Sequence, residues 1–451
     1  MKSIFRCTLA LIAVAAWGCQ SESVDYQAAM ANPEYMHRAM KGLTDQIVHD
    51  IFSPPVASRI YAYSSIAAYE ALVPSHSDHT TLAGQLNQFQ AVPQPAANLA
   101  YSPELAAIHA FLTVSQPLVH SGSSLASFRD ALYETIKEET SIPQADFDNS
   151  LAYGNQVAEH IKAWMSKDGY AETRTFPKYT IRPEEAYWKP TPPDYMEGIE
   201  PSWNKLRTFA LDSATQFVPA PPTPFDMDPN SLFYKELMEV YETGVNLDEE
   251  QTEIAKFWDC NPYVSQHFGH AMYAVKKITP GGHWIGITAI ATRQAKADFM
   301  KTTEAYALVS VALADAFISC WDEKWRSILV RPETLIAEHI DRDWRPLLQT
   351  PPFPEYTSGH SVISTAAAVT LTELFGDNFA FSDTTEVEYG LTIRDYESFM
   401  AASQEAAISR LYGGIHYMPA ISNGVAQGQE VGEFIKGEIS TRKEQVAEAI
   451  D

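Results

Sequence analysis

Three short blocks in the C-terminal half hold residues suited to binding and reacting an oxyanion. In Lys324-Trp325-Arg326-Ser327-Ile328-Leu329-Val330-Arg331-Pro332, two cations stand seven residues apart. On a helix that spacing is nearly two turns, so Lys324 and Arg331 would share a face, with Pro332 ending the helix just after them. An arginine fork beside a lysine point charge suits a phosphate-shaped anion. A solvated basic helix end carries the same pattern. In Pro352-Phe353-Pro354-Glu355-Tyr356-Thr357-Ser358-Gly359-His360, prolines and small polar residues precede an alanine-rich apolar run, which marks a helix start. Free first-turn amides and the Ser358 hydroxyl would cradle an anion, Gly359 would let backbone approach it, and His360 would point at it. An ordinary capped helix with an incidental histidine reads the same way. In Ser409-Arg410-Leu411-Tyr412-Gly413-Gly414-Ile415-His416, a cation closes a helical stretch and two glycines permit a bend before a histidine. An imidazole nitrogen is a metal ligand or nucleophile, while a glycine C-cap beside a surface histidine is the plain alternative.

Each block is weak alone, but the order Lys-x6-Arg-Pro, Ser-Gly-His, Ser-Arg-x3-Gly-x-His is specific. It resembles the signature shared by vanadium-dependent haloperoxidases and type 2 phosphatidic acid phosphatases, and looks closest to marine bacterial iodoperoxidases. The signature spans Lys324 to His416, and a looser helical resemblance reaches back to about residue 30. The resemblance implies an orthovanadate cofactor. Lys324, Arg331 and Arg410 would neutralise its oxygens, Ser358 and the Gly359 amide would donate to them, and His416 Nε2 would be the axial ligand. His360 would act as acid-base group, and Lys324 would also polarise hydrogen peroxide. The implied activity is halide oxidation by peroxide to hypohalous acid, with iodide ahead of bromide and little or no chloride oxidised.

One departure stands at Ala420, where the family pattern often has an aspartate four residues after the last histidine. An acid there would orient a histidine nucleophile, so its absence weighs against a phosphatase, and a backbone carbonyl would be enough to fix a coordinating imidazole. In the haloperoxidase branch, positions matching Trp321 and Phe353 flank the halide side, where large rings strip water from soft anions. Tyr263, in Trp258-Asp259-Cys260-Asn261-Pro262-Tyr263, is a further candidate for the cavity wall. Asp259 or Asp315 is expected to hold an arginine, and Asp322 reads as a solvated acid.

These residues need a scaffold, and the apolar spacing indicates helices. Helical patterns run over 60–72, 105–114, 128–136, 157–165, 231–241, 248–259, 358–374, 385–411 and 421–435. The stretch from Ile287 to Trp325 lacks proline and glycine, which implies one or two long buried helices. Tyr179 to Pro224 is rich in proline and reads as a long ordered loop. The expected fold is all-α, two packed helical bundles of the vanadium haloperoxidase type with long proline-rich connecting loops. The expected divisions are an N-terminal helical part over 33–230, a C-terminal part with the anion site over 231–440, and a polar tail over 441–451.

The formal net charge of −25 disfavours nucleic acid and anionic membranes as partners, so an anion site has to be assembled locally. Residues 1–18 read as an export signal, with Lys2 and Arg6 before a short apolar run. Cys19 reads as a lipid-anchor residue opening a polar tether over 19–32, which would place the protein in the periplasm or on the outer membrane; simple secretion is the alternative. Cys260 and Cys320 remain, to pair or to stay as buried thiols, and no cysteine and histidine spacing suggests zinc. Two other functions fit parts of the chain. An exported acid phosphatase would use His416 as nucleophile in the same pocket. A helical glycan-binding lipoprotein would account for 9 tryptophans and 22 tyrosines but not for the basic blocks.

Overall fold

The computed structural model describes residues 25–268 and 270–443. The export signal, Cys19 and the chain beyond 443 lie outside the described residues. The first half holds α1 (Tyr26–Met30), α2 (Glu34–His49), α3 (Pro54–Leu72), α4 (Pro103–Ser115), α5 (Gly122–Thr140), α6 (Gln144–Met165) and the short α7 (Tyr170–Thr173). After the proline-rich loop come α8 (Leu232–Val245) and α9 (Glu249–Phe257). The antiparallel hairpin β1 (Val264–Phe268) and β2 (Ala271–Val275) follows, then α10 (Pro280–Gln294), α11 (Phe299–Ser327), α12 (Pro332–His339) and α13 (Gly359–Phe375). A second small hairpin, β3 (Phe381–Asp383) with β4 (Arg394–Tyr396), leads to α14 (Phe399–Tyr412) and α15 (Met418–Glu438). Among the described residues the protein is all-α apart from these hairpins.

Helix starts are set by local chemistry. Ser102 accepts from the Leu105 amide and Pro103 opens α4, while Asp248 and Gln251 form a reciprocal capping box on α9. The apolar run from Ile287 to Trp325 is two helices, because Lys296 takes φ 52° and Asp298 caps α11. Helix α11 is long and apolar enough to cross a membrane by composition, yet it is buried within the protein. It packs on α3 on one side and on α13 on the other, joining the two bundles through one continuous core.

Four expectations are corrected. Lys324 and Arg331 do not share a helix face: α11 ends at Ser327, with Ile328 left-handed at φ 52°, and Arg331 is extended. Pro332 opens α12 rather than ending a helix, since its missing N–H is harmless at that position. Only Phe399–Tyr412 of the 385–411 pattern is an α-helix, because Gly390 at φ 86° and the β3–β4 hairpin occupy the rest. Asp315 holds no arginine; it accepts the amides of Phe209, Ala210 and Leu211 at 2.6, 2.7 and 2.9 Å, pinning the proline-rich loop to α11. The loop is also tied by Trp188 N to Ile328 O and Ile199 N to Pro352 O, so the 179–224 stretch is ordered as expected.

The start of α13 is set by a stripe of glycines on α15. Side chains added at Gly424, Gly428 and Gly432 would strike Ser361, the Val362 carbonyl and Val369. Close approach lets Ser358 N reach Ala420 O at 2.9 Å. Gly428→Ala places a methyl against backbone that has to shift, with an expected loss of about 2 kcal/mol in urea unfolding. The same shift of the α13 N-terminus is expected to weaken anion binding; unchanged stability and affinity would refute the account.

Candidate active site

Several segments deliver the site. The last two turns of α11 carry Trp321 and Lys324, the link to α12 carries Arg331, the loop before α13 carries Phe353 and Glu355, and the α14–α15 turn carries His416. Arg410 projects from the last turn of α14, and Gly414, at φ 75°, turns the chain toward His416. Ser358 caps α13, its hydroxyl accepting from the Ser361 amide at 3.3 Å. A cavity of about 160 Å³ is lined by Tyr263, Trp321, Phe353, Gly359, His360, Arg410 and His416. Lys324, Arg331 and Ser358 are buried, the two cations each 5.1 Å from the centre of the Phe353 ring. A Cβ on Gly359 would meet only the Trp321 ring at 3.7 Å, so the position is left open on the cavity side.

The cations are held entirely by uncharged groups. Lys324 Nζ donates to the carbonyls of Pro354 and Glu355 at 3.0 Å and to that of Thr357. Arg331 Nε donates to Phe353 O at 3.0 Å, and its Nη1 reaches Ile415 O at 2.8 Å and His416 Nε2 at 3.1 Å. Arg410 donates to Ser409 Oγ at 2.9 Å and to Trp258 O at 2.6 Å. Among the described residues none of the three forms an ion pair with a carboxylate, and Arg331 Nη2 is buried with no partner. Burial pushes the Lys324 ammonium down to about 7 and both guanidiniums down to about 10. Burial, then the neighbouring cations, hold His416 and His360 neutral. Three unpaired buried cations are costly without a counter-charge, so the pocket calls for an anion.

His416 is fixed by a residue the sequence reading missed. Its Nδ1 lies 2.7 Å from Glu355 Oε1, an oxygen that also accepts the Tyr417 amide at 3.0 Å. Burial raises the Glu355 carboxyl to about 7. With Nδ1 donating to Glu355, the lone pair of His416 sits on Nε2, the nitrogen suited to coordinate or attack. Glu355 therefore does the work expected of an acid at 420 or of a carbonyl, and Ala420 no longer argues against phosphate chemistry. The only clue in the sequence was a lone acid in a proline-rich stretch three residues before Ser358.

The chain superposes on the crystal structure of the first bacterial vanadium-dependent iodoperoxidase with a TM-score of 0.87. The two share 52% identity over 92% of this chain and 98% of that one. This chain belongs to the vanadium-dependent haloperoxidases. The holo and apo bacterial vanadium-dependent chloroperoxidases share the fold, with TM-scores of 0.63 and 0.62 at 16% and 15% identity. Each covers 86% of this chain, and the matches take in 94% and 95% of theirs. The family profile for the VCPO second helical-bundle domain matches residues 304–442, the part of this haloperoxidase that carries most of the site. No curated protein sequence matches the chain.

Other expectations resolve around this site. Asp322 is buried, not solvated: it accepts from Asn204 at 2.8 Å and pairs with Arg326 rather than tuning Lys324. Asp259 forms an ion pair with Lys277 at 2.7 Å and, among the described residues, none with an arginine, although its charge acts on Arg410 from a longer distance. Cys260 and Cys320 are separate buried thiols. The rings of Trp321 and Phe353 stand 5.0 Å apart, and Lys324 Nζ lies 5.7 and 5.1 Å from their centres.

Two measurements check these assignments. Tungstate is a tetrahedral dianion throughout the relevant range, and its affinity is expected to fall as pH rises through about 7, where Lys324 loses its proton. Lys324→Met should bind more weakly with a flatter pH profile; an equally steep profile would exclude Lys324 as the source. Glu355→Gln is expected to weaken vanadate binding by about 10- to 100-fold, the usual cost of losing an outer-shell partner. Calorimetry with an unchanged affinity would remove Glu355 from the site.

Proposed function

We propose that this chain oxidises halide, iodide in preference to bromide, with hydrogen peroxide at a vanadate held in the pocket. The balanced reaction is H2O2 + I⁻ + H⁺ → HOI + H2O. The observation that carries the reading is the convergence of three buried cations, none in an ion pair with a carboxylate among the described residues, on a neutral His416 whose tautomer Glu355 sets. Lys324, Arg331 and Arg410 would neutralise the oxyanion, the Ser358 hydroxyl and the Gly359 amide would donate to it, and His416 Nε2 would be its nitrogen ligand. Bound vanadate(V) supplies the Lewis acid that activates peroxide without changing its own oxidation state.

The remaining work belongs to the chain. His360 lies on the cavity with Nε2 buried and without a partner among the described residues, free to take and return a proton. Trp321 and Phe353 present apolar, polarisable faces that favour a soft, weakly hydrated anion, which supports iodide. The likeness to an iodoperoxidase supports the same choice. The pattern of Lys2 and Arg6, the apolar run and Cys19 supports export with a lipid anchor.

The Glu355–His416 pair also suits a histidine nucleophile, which makes phosphate ester hydrolysis the second reading. Purified protein given peroxide and each halide, with and without vanadate, separates the two. Expected is vanadate-dependent oxidation of iodide, slower for bromide and slight for chloride. His360→Ala should lower kcat by about 100-fold or more while vanadate stays bound. Phosphate ester hydrolysis without any halide oxidation would overturn the proposal.

A further inference from the structure

At the cavity wall, three side chains from distant parts of the chain meet in a buried triangle. Cys260 follows α9, His283 sits in the first turn of α10, and Glu386 lies just after β3. Cys260 Sγ is 3.3 Å from His283 Nδ1, His283 Nδ1 is 3.1 Å from Glu386 Oε1, and Sγ is 3.8 Å from Oε1. All three residues are buried, His283 completely. A tetrahedral ion with bonds of about 2.0 to 2.3 Å has donor-to-donor edges of roughly 3.3 to 3.6 Å, so the triangle has the size of one face of a zinc site.

Two independent features point to a ligand. His283 Nε2 lies 2.7 Å from Asp383 Oδ2, and Asp383 is itself fixed by the Thr385 amide at 2.9 Å. A carboxylate on the far nitrogen is the usual support of a metal-bound imidazole, because it sets the tautomer and leaves the near nitrogen to coordinate. Glu386 turns Oε1 toward Cys260 and His283, while its Oε2 is buried without a hydrogen-bond partner among the described residues, so the carboxylate has an oxygen left unused.

We propose that Cys260, His283 and Glu386 bind a zinc ion, with Asp383 orienting His283 and water in the fourth position. Thiolate, imidazole and carboxylate together suit zinc over the hard cations. Cys260 lines the cavity, which gives the ion and its water a route in. The centre would tie the wall that follows α9 to α10 and to the β3–β4 turn. That wall supports the oxyanion site: Trp258 stacks on His283 at 4.5 Å, and its carbonyl holds Arg410 at 2.6 Å. The spacing of 260, 283 and 386 matches no local zinc pattern, so the sequence reading found no such site.

Elemental analysis of full-length protein, produced with zinc and desalted into metal-free buffer, is expected to give about one zinc per chain, with or without vanadate. Cobalt-loaded protein should show a thiolate-to-cobalt charge-transfer band that Cys260→Ser lacks. The wild-type measurements decide the matter if that variant fails to fold. Zinc below about 0.1 per chain and no cobalt–thiolate band, in protein that still binds vanadate, would overturn the proposal. The cluster would then be a His283 imidazolium between two carboxylates. Because zinc and vanadium are counted separately, failure here leaves the haloperoxidase reading standing, and the reverse also holds.

Discussion

Lys324, Arg331 and Arg410 are buried cations whose hydrogen bonds all go to carbonyls, a hydroxyl or an imidazole. Each charge taken out of water costs several kcal/mol, and neutral acceptors recover only part of that. The surrounding packing holds the three cations in place, and a bound anion would offset that cost. Much of the local architecture follows from this constraint. The loop before α13 turns its carbonyls inward onto Lys324 and Arg331, and the α9 terminus offers Trp258 O to Arg410.

The acid–base balance follows from the same field. Burial together with neighbouring cations keeps His360 and His416 neutral, so each retains a lone pair. Glu355 then decides which nitrogen of His416 offers it. Beside Lys324 and Arg331, the rings of Trp321 and Phe353 give the cavity an apolar lining. A polar face that grips an oxyanion and an apolar face that favours a soft ion together suit halide oxidation better than ester hydrolysis.

Long-range packing gives these groups their precision. Glycines on α15 let α13 approach closely enough for Ser358 N to bond Ala420 O, and Asp315 anchors the proline-rich loop that covers α11. Buried residues of both helical halves share one core, so the site rests on α11 rather than on a flexible joint.

The sequence by itself determined the helical class, the ordered proline-rich loop and the seven anion-binding candidates, because residue type, helical period and proline placement are local properties. Trp321, Phe353 and Tyr263 were legible for the same reason, as aromatic residues near those blocks. Only the tertiary structure decided that Lys324 and Arg331 meet across a helix end rather than along one face. It alone showed Glu355 on His416, Asp315 on backbone amides, and Cys260, His283 and Glu386 together. Each of these depends on where the chain turns and which helices pack, and a carboxylate's partner across 61 or 106 residues leaves no periodic trace in the chain.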